Sequence, residues 1–290
     1  MASNPFAEFA FVPSAAAMAT AASSSSNNMD PSSSTAVSTA ARKRKRATVV
    51  AAARGKATAA SGGGGGGGLE AAVATAASSL SDLKTHAEFV AALQAITDDP
   101  LAREAGAGEN IVVYRGSPTA KLMVIGEAPG ATEDEQKKPF VGRAGQLLDQ
   151  ILESVQFDVT RDVYISNVVR RRPPGNRNPL AGEVAYFLPW LLKEIELVDP
   201  HILLLAGSFP MRAVLEDEKR GITKVRGEWF EKQVGGRERL CMPLFHPSYL
   251  LRNQSRAVGS PKHLTWIDIQ NVRKRYDQIM AGDVSKNSAT

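Results

Sequence analysis

The sequence predicts an α/β fold of three layers, α/β/α, around a central four-stranded parallel sheet. Four short apolar runs, residues 121–125, 163–169, 202–206 and 240–245, alternate with stretches of helical periodicity. Apolar runs of this length fit strands buried on both faces, and helices between parallel strands cover those faces. Each run also delivers a polar residue at its carboxyl end: Glu127, Asn167, Ser208 and His246. Open parallel sheets bind ligands at that edge, so these four residues mark one candidate site.

Residues 79–97 place Leu83, Phe89, Val90, Leu93 and Ile96 near helical spacing behind a candidate Ser81 cap. Residues 111–114 form a short β-type run before a Gly116-Ser117-Pro118 turn, and residues 121–125 make the first buried strand. Next comes GEAPGATEDEQKKPFVGRAG, Gly126 to Gly145, which reads as a long strand-to-helix loop carrying Glu127, Glu133, Asp134 and Phe140. Long loops in compact domains are functional or disordered more often than simple connections. An aromatic beside a carboxylate suits a flat polar ring better than a phosphate. A GxxxxGK(S/T) loop is absent, and Gly126-x-x-x-Gly130 is not a GxGxxG dinucleotide fingerprint. A helix then runs to about Val155.

The second strand runs directly into RRRPPGNRNP. A buried Asn must be hydrogen-bonded, so Asn167 is either a structural pin or a group that faces a ligand. Arg170, Arg171, Arg172 and Arg177 have no acid among them, and Pro173, Pro174 and Pro179 stiffen their loop. That composition predicts contacts to phosphates. Residues 183–198 have helical spacing, with Pro189 a candidate kink. The third strand ends at Gly207-Ser208, where backbone and hydroxyl can approach a phosphate, and the fourth ends in HPSYLLR. Residues 261–280 close the chain as a helix. His86, His201 and His263 fall in helical or strand-entry positions, which leaves His246 as the histidine best placed for chemistry.

The first 68 residues differ in kind from the rest. They are rich in Ala, Ser and Thr, end in seven consecutive glycines, and carry seven basic residues against the acids Glu8 and Asp30. Such a segment cannot bury enough apolar surface to offset its ordering entropy, so it is expected to be a disordered basic tail or targeting segment. Residues 69–110 read as a linker and N-terminal helix, 111–280 as the folded domain, and 281–290 as a disordered C-terminus. Beyond the tail, 28 basic residues balance 28 acidic ones, so a nucleic-acid surface on the domain must be a local patch. The basic run at residues 42–46 fits a nuclear signal, a nucleic-acid-contacting tail, part of an acid-poor transit peptide, or solvated charge in a linker. No run approaches 18 apolar residues, so no membrane span is expected. The single cysteine, Cys241, excludes an internal disulfide and any cysteine-built zinc or iron–sulfur site.

The motifs GEAPGxxED with PFVGxAGxLL, VYISNVVxxRPPGNRxP and HPSYLLR, in this order across residues 111–280, resemble the uracil-DNA glycosylase superfamily. The likeness is to its fourth family, from bacteria and archaea, which normally holds an iron–sulfur cluster on four cysteines. The chain departs from that pattern. Arg171 and Phe187 stand at two of the cysteine positions, and no CxxC lies between Asp98 and Asn110. No cofactor and no metal are therefore expected.

The resemblance implies an enzyme of base excision repair that flips uracil out of DNA and hydrolyses its N-glycosidic bond, leaving an abasic site. By the same likeness Glu127, Glu133 and His246 are catalytic, and Phe140, Asn167 and Ala128 hold the uracil. Arg170, Arg172, Pro173, Arg177, Ser208, Ser248 and Arg252 contact DNA, and Leu250 enters the duplex as a wedge. The quoted motifs contain no lysine to form a Schiff base, so a monofunctional glycosylase is expected. The implied partner is uracil-containing DNA, bound by a monomer. A bacterial-type domain behind such a tail is expected in a plastid or another organelle, with the nucleus as the alternative address. A non-catalytic nucleic-acid-binding protein that kept the fold is the competing reading.

Overall fold

The computed structural model describes residues 80–287; the expectations for the tail, residues 1–68, lie outside the described residues. Six strands form one sheet: β1 (Arg115–Gly116), β2 (Leu122–Gly126), β3 (Val163–Asn167), β4 (Ile202–Ala206), β5 (Phe230–Val234) and β6 (Arg237–Leu244). Their order is β1-β3-β2-β4-β6-β5. The central four are parallel to one another, as the apolar runs require. The sheet is nevertheless mixed and six-stranded, because β1 and β5 add antiparallel edges. β5 turns into β6 through Gly235 and Gly236, whose φ of 57° and 87° match the twist of a tight hairpin.

Among the described residues, eight helices flank the sheet: α1 (His86–Gln94), α2 (Ala131–Gln136), α3 (Arg143–Glu153), α4 (Ala181–Val198), α5 (Ser208–Val214), α6 (Ile222–Val225), α7 (Pro247–Arg252) and α8 (Pro261–Asn287). α1 starts later than its periodicity predicts, because the reciprocal cap is made by Thr85 and Glu88 rather than by Ser81. α4 is a single helix through Pro189. α8 continues to Asn287, past the domain boundary read from the sequence. No helix among the described residues is long and apolar enough to cross a membrane.

Strand alternation sorts the core into two halves. Met123, Ile125, Tyr164, Leu203 and Leu205 face α1, α4 and α5, with Phe89, Leu93, Phe187, Leu191 and Met211 buried against them. Leu122, Val124, Ile165, Leu204 and Met242 face α3, α7 and α8, packing on Leu148, Leu152, Leu250, Ile269 and Val272. Both sheet faces are covered, and the carboxyl ends of the four parallel strands open onto the loops that follow them.

Candidate active site

Register places the site. Gly126 at the end of β2 pairs with Asn167 at the end of β3, and on the other side of β2 the tips of β4 and β6 pair through Ala206 and Leu244. Gly126 must lack a side chain, because a Cβ there would run into both the Asn167 Oδ1 and the Phe140 ring. Phe140 itself is held in the left-handed region, φ 54°, which is uncommon for an aromatic residue. Gly145 of α3 allows this, since any side chain on it would collide with the Phe140 backbone. The ring is buried at 6% exposure, and the His246 ring lies 5.7 Å away, tilted by 36°.

Asn167 is 2% exposed, and its Oδ1 is a buried acceptor with no partner. An orphan of this kind costs about 1–3 kcal/mol. It lies beside the Phe140 ring at the tip of β3.

His246 caps the N-terminus of α7. Its Nδ1 accepts from the Ser248 backbone N–H at 3.2 Å and lies 2.8 Å from the Ser248 Oγ. A backbone N–H can only donate, so Nδ1 carries no proton and Nε2 carries it instead. Burial, and then the charge of Arg252, push the imidazole down to about 4 against a smaller pull from Glu133. The ring is therefore neutral at ordinary pH and presents one N–H donor. Gly207, with φ 104°, gives it room, its missing Cβ falling 3.2 Å from the His246 Cβ.

The two carboxylates part company. Glu127 is partly buried, and burial raises its carboxyl above the ordinary range. Glu133 instead ties the loop together: Oε1 accepts from Val141 N–H at 2.9 Å and Gly142 N–H at 2.7 Å, and Oε2 from Gly130 N–H at 3.1 Å. Both of its oxygens accept loop N–H groups, three bonds in all, which fixes the carboxylate in the loop around Phe140. Within the stretch read as a loop, residues 131–136 form α2, which buries none of its residues and starts from the cap that Glu133 closes on Gly130. The methyl of Ala128 packs on the core half opposite Phe140. Lys137 and Lys138 are exposed.

Several residues expected to hold DNA lie elsewhere. Arg170 is fully buried, paired with Glu194 at 2.5 Å and bonded to Ser166 and to the Val113 carbonyl. Arg177 is shared between Glu104 at 2.5 Å and Glu183 at 2.6 Å. Leu250 is 1% exposed and belongs to the core, so it is not placed to enter a duplex. Pro173 is buried. Ser208 is partly exposed at the start of α5, Ser248 holds His246, Arg172 is partly exposed beside Asn176 at 2.7 Å, and Arg252 is exposed. Composition concealed the partners of Arg170 and Arg171, whose acids lie 24 and 72 positions away, and one partner of Arg177, Glu104, 73 positions away; the other, Glu183, is only six positions on. A cavity lined by Trp229, Glu231, Leu240 and Arg275 sits at the β5–β6 edge and includes none of these groups.

The residues present do not fit an iron–sulfur cluster. The one cysteine, Cys241, is buried in β6 with its thiol pushed up to about 12 by burial. Arg171, at a position where the family carries a ligand, is ion-paired with Asp99 at 2.8 Å, and a guanidinium does not bind iron.

Residues 113–270 match the family described as the uracil DNA glycosylase superfamily. The chain is 42% identical over 150 residues to the Type-4 uracil-DNA glycosylase of Thermotoga maritima, covering 50% of this chain and 74% of that protein. It is 36% identical over 148 residues to the Type-4 uracil-DNA glycosylase of Saccharolobus solfataricus, covering 50% and 68%. With that of Pyrobaculum aerophilum the identity is 39% over 149 residues, covering 50% and 74%. A paired Gly126 and Asn167, the ring of Phe140 and a neutral His246 thus sit on a scaffold with named relatives, and the chain belongs to the uracil DNA glycosylase superfamily.

Proposed function

We propose that the protein is a monofunctional uracil-DNA glycosylase acting in base excision repair, and the unpartnered Oδ1 of Asn167 beside Phe140 carries the reading. A base cannot be excised inside the stack, so deoxyuridine is extruded into the site. There it stacks on Phe140, a contact worth about 1–3 kcal/mol. The Asn167 Oδ1 accepts from uracil N3–H while the amide nitrogen donates to O4. Cytosine offers an acceptor at N3 and donors at N4, so it leaves the same groups unsatisfied.

Breaking the glycosidic bond puts negative charge on uracil O2. The neutral His246 donates its Nε2–H to that oxygen, an electrostatic contribution of about 10²–10³ in rate. Glu127 in its ionised form orients the attacking water and offsets positive charge on the sugar. Water attacks the anomeric carbon, the carbon–nitrogen bond breaks, and uracil departs with the bonding pair. The products are free base and an abasic site. Arg172, Arg252 and Ser208 are the groups left to meet backbone phosphates, while the Ser248 hydroxyl donates to His246 Nδ1. The chain acts on this DNA as a monomer.

The test is incubation of purified full-length protein with an oligonucleotide holding one uracil, followed by alkali. Strand breaks at the uracil position support the reading, whereas an intact strand under conditions of full DNA binding would leave a binding protein without catalysis.

A further inference from the structure

Residues 96–110 form a bracket that touches both loops of the candidate site. Asp99 is buried at 1% exposure, its Oδ1 accepting from the N–H groups of Leu101 at 3.0 Å and Ala102 at 3.1 Å. Its Oδ2 takes the Arg171 Nε at 2.8 Å. The same guanidinium donates to the Glu109 carbonyl at 2.7 Å and the Gly108 carbonyl at 3.2 Å. Gly108 N–H in turn reaches the Arg172 carbonyl at 2.8 Å, and Glu104 holds Arg177. The bracket's other end grips the first loop: Asn110 N–H donates to Asp134 Oδ1 and Asn110 Nδ2 to the Asp134 carbonyl, both at 3.0 Å. Asp134 belongs to α2, next to the Glu133 that fixes Gly130, Val141 and Gly142 around Phe140.

We infer that Arg171 and Asp99 are positioning residues for base excision. They fasten the segment 96–110 to the end of β3, and through it hold the Phe140 loop and the Arg172–Arg177 loop in fixed relation. The donor set that excludes an iron–sulfur cluster is the one that does this fastening. An ion pair with two carbonyl acceptors makes a cross-link that needs no metal. A buried ion pair is costly to break from one side, because the partner is left charged and unpaired. The inference rests on the glycosylase reading for its consequence and on the hydrogen-bond pattern for its geometry.

The experiment compares Arg171→Met, Arg171→Lys and, as a destabilising control in the distant α8 contact, Val272→Ala. Steady-state kinetics on a uracil-containing oligonucleotide are run well below each melting temperature, with amide hydrogen exchange at Gly108 and Asn110. Arg171→Met is expected to raise KM about tenfold while kcat changes about twofold or less, and to speed exchange at both amides. Arg171→Lys keeps the charge and recovers part of the KM, and Val272→Ala lowers the melting temperature without moving KM. Wild-type KM and exchange in Arg171→Met would overturn the inference, as would an equal KM rise in Val272→Ala. Stoichiometric iron in the purified protein would also overturn it. Should the wild type excise nothing, the glycosylase reading fails, while the exchange comparison still decides whether Arg171 holds the bracket.

Discussion

The rings of Phe140 and His246 stand 5.7 Å apart at a tilt of 36°, too close for a third ring to enter between them, since stacked aromatic centroids are themselves about 4.5 Å or more apart. On the proposed function, a base lying on Phe140 would be met by His246 at its rim. That is the direction in which an N–H reaches a carbonyl oxygen in the plane of its ring.

Replacing His246 by Ala is expected to slow excision about 10²–10³-fold while leaving DNA affinity within about twofold. Burial pushes His246 down to about 4 and raises Glu127 above its ordinary range. On the proposed mechanism the active form has Glu127 ionised and His246 neutral, so activity is expected to rise with pH through the raised Glu127 ionisation and then stay level. Single-turnover rates across pH check this. An inflection near 6.5 that vanishes in His246→Gln would show that the imidazole titrates in the working range and contradict the assignment.

Leu250→Ala acts on the fold rather than on DNA. The side chain is 1% exposed in the core half under α7, so truncation is expected to cost about 2–5 kcal/mol in denaturant unfolding. Excision measured well below the midpoint changes only a few-fold. Unaltered stability together with a large loss of DNA affinity would restore the wedge role read from the motif.

The arginines separate by a salt titration. Arg170→Met strands Glu194 inside the protein and is expected to cost about 3–5 kcal/mol of stability. Arg172→Ala and Arg252→Ala leave stability nearly unchanged, and each reduces the slope of log affinity against log salt by about 1. A reduced slope in Arg170→Met, with its fold intact, would place that guanidinium on DNA.

The four parallel strands were legible because residues buried on both faces write an unbroken apolar run, as in ILLLA of β4. The edges were not. β1 has only two residues, and β5 alternates exposed and sheltered positions over FEKQV, a weak pattern whose one clear signal is the Gly235-Gly236 turn after it. At the site, Asn167 and Phe140 meet at Gly126, where a Cβ would strike both, and the Phe140 ring lies 5.7 Å from that of His246. The bonds of Glu133 to Gly130, Val141 and Gly142 were not legible, because two of the three N–H groups reach it across the loop from eight and nine positions on. Arg170 and Arg171 could not be read, because their burial and ion pairing depend on Glu194 and Asp99 being carried to them by the fold, as Glu104 is to Arg177; Glu183, six positions after Arg177, was the one partner within local reach.

The decisive measurement concerns Asn167 and compares excision of uracil with excision of cytosine from matched oligonucleotides. Wild-type protein is expected to release uracil and leave cytosine untouched. Asn167→Ala should lose about 10²–10⁴ of the uracil rate, and with it most of the preference, because a site built to hydrogen-bond one edge discriminates through the groups it would otherwise leave unpaired. Undiminished discrimination in Asn167→Ala would mean that the orphan carboxamide oxygen is not what reads the base.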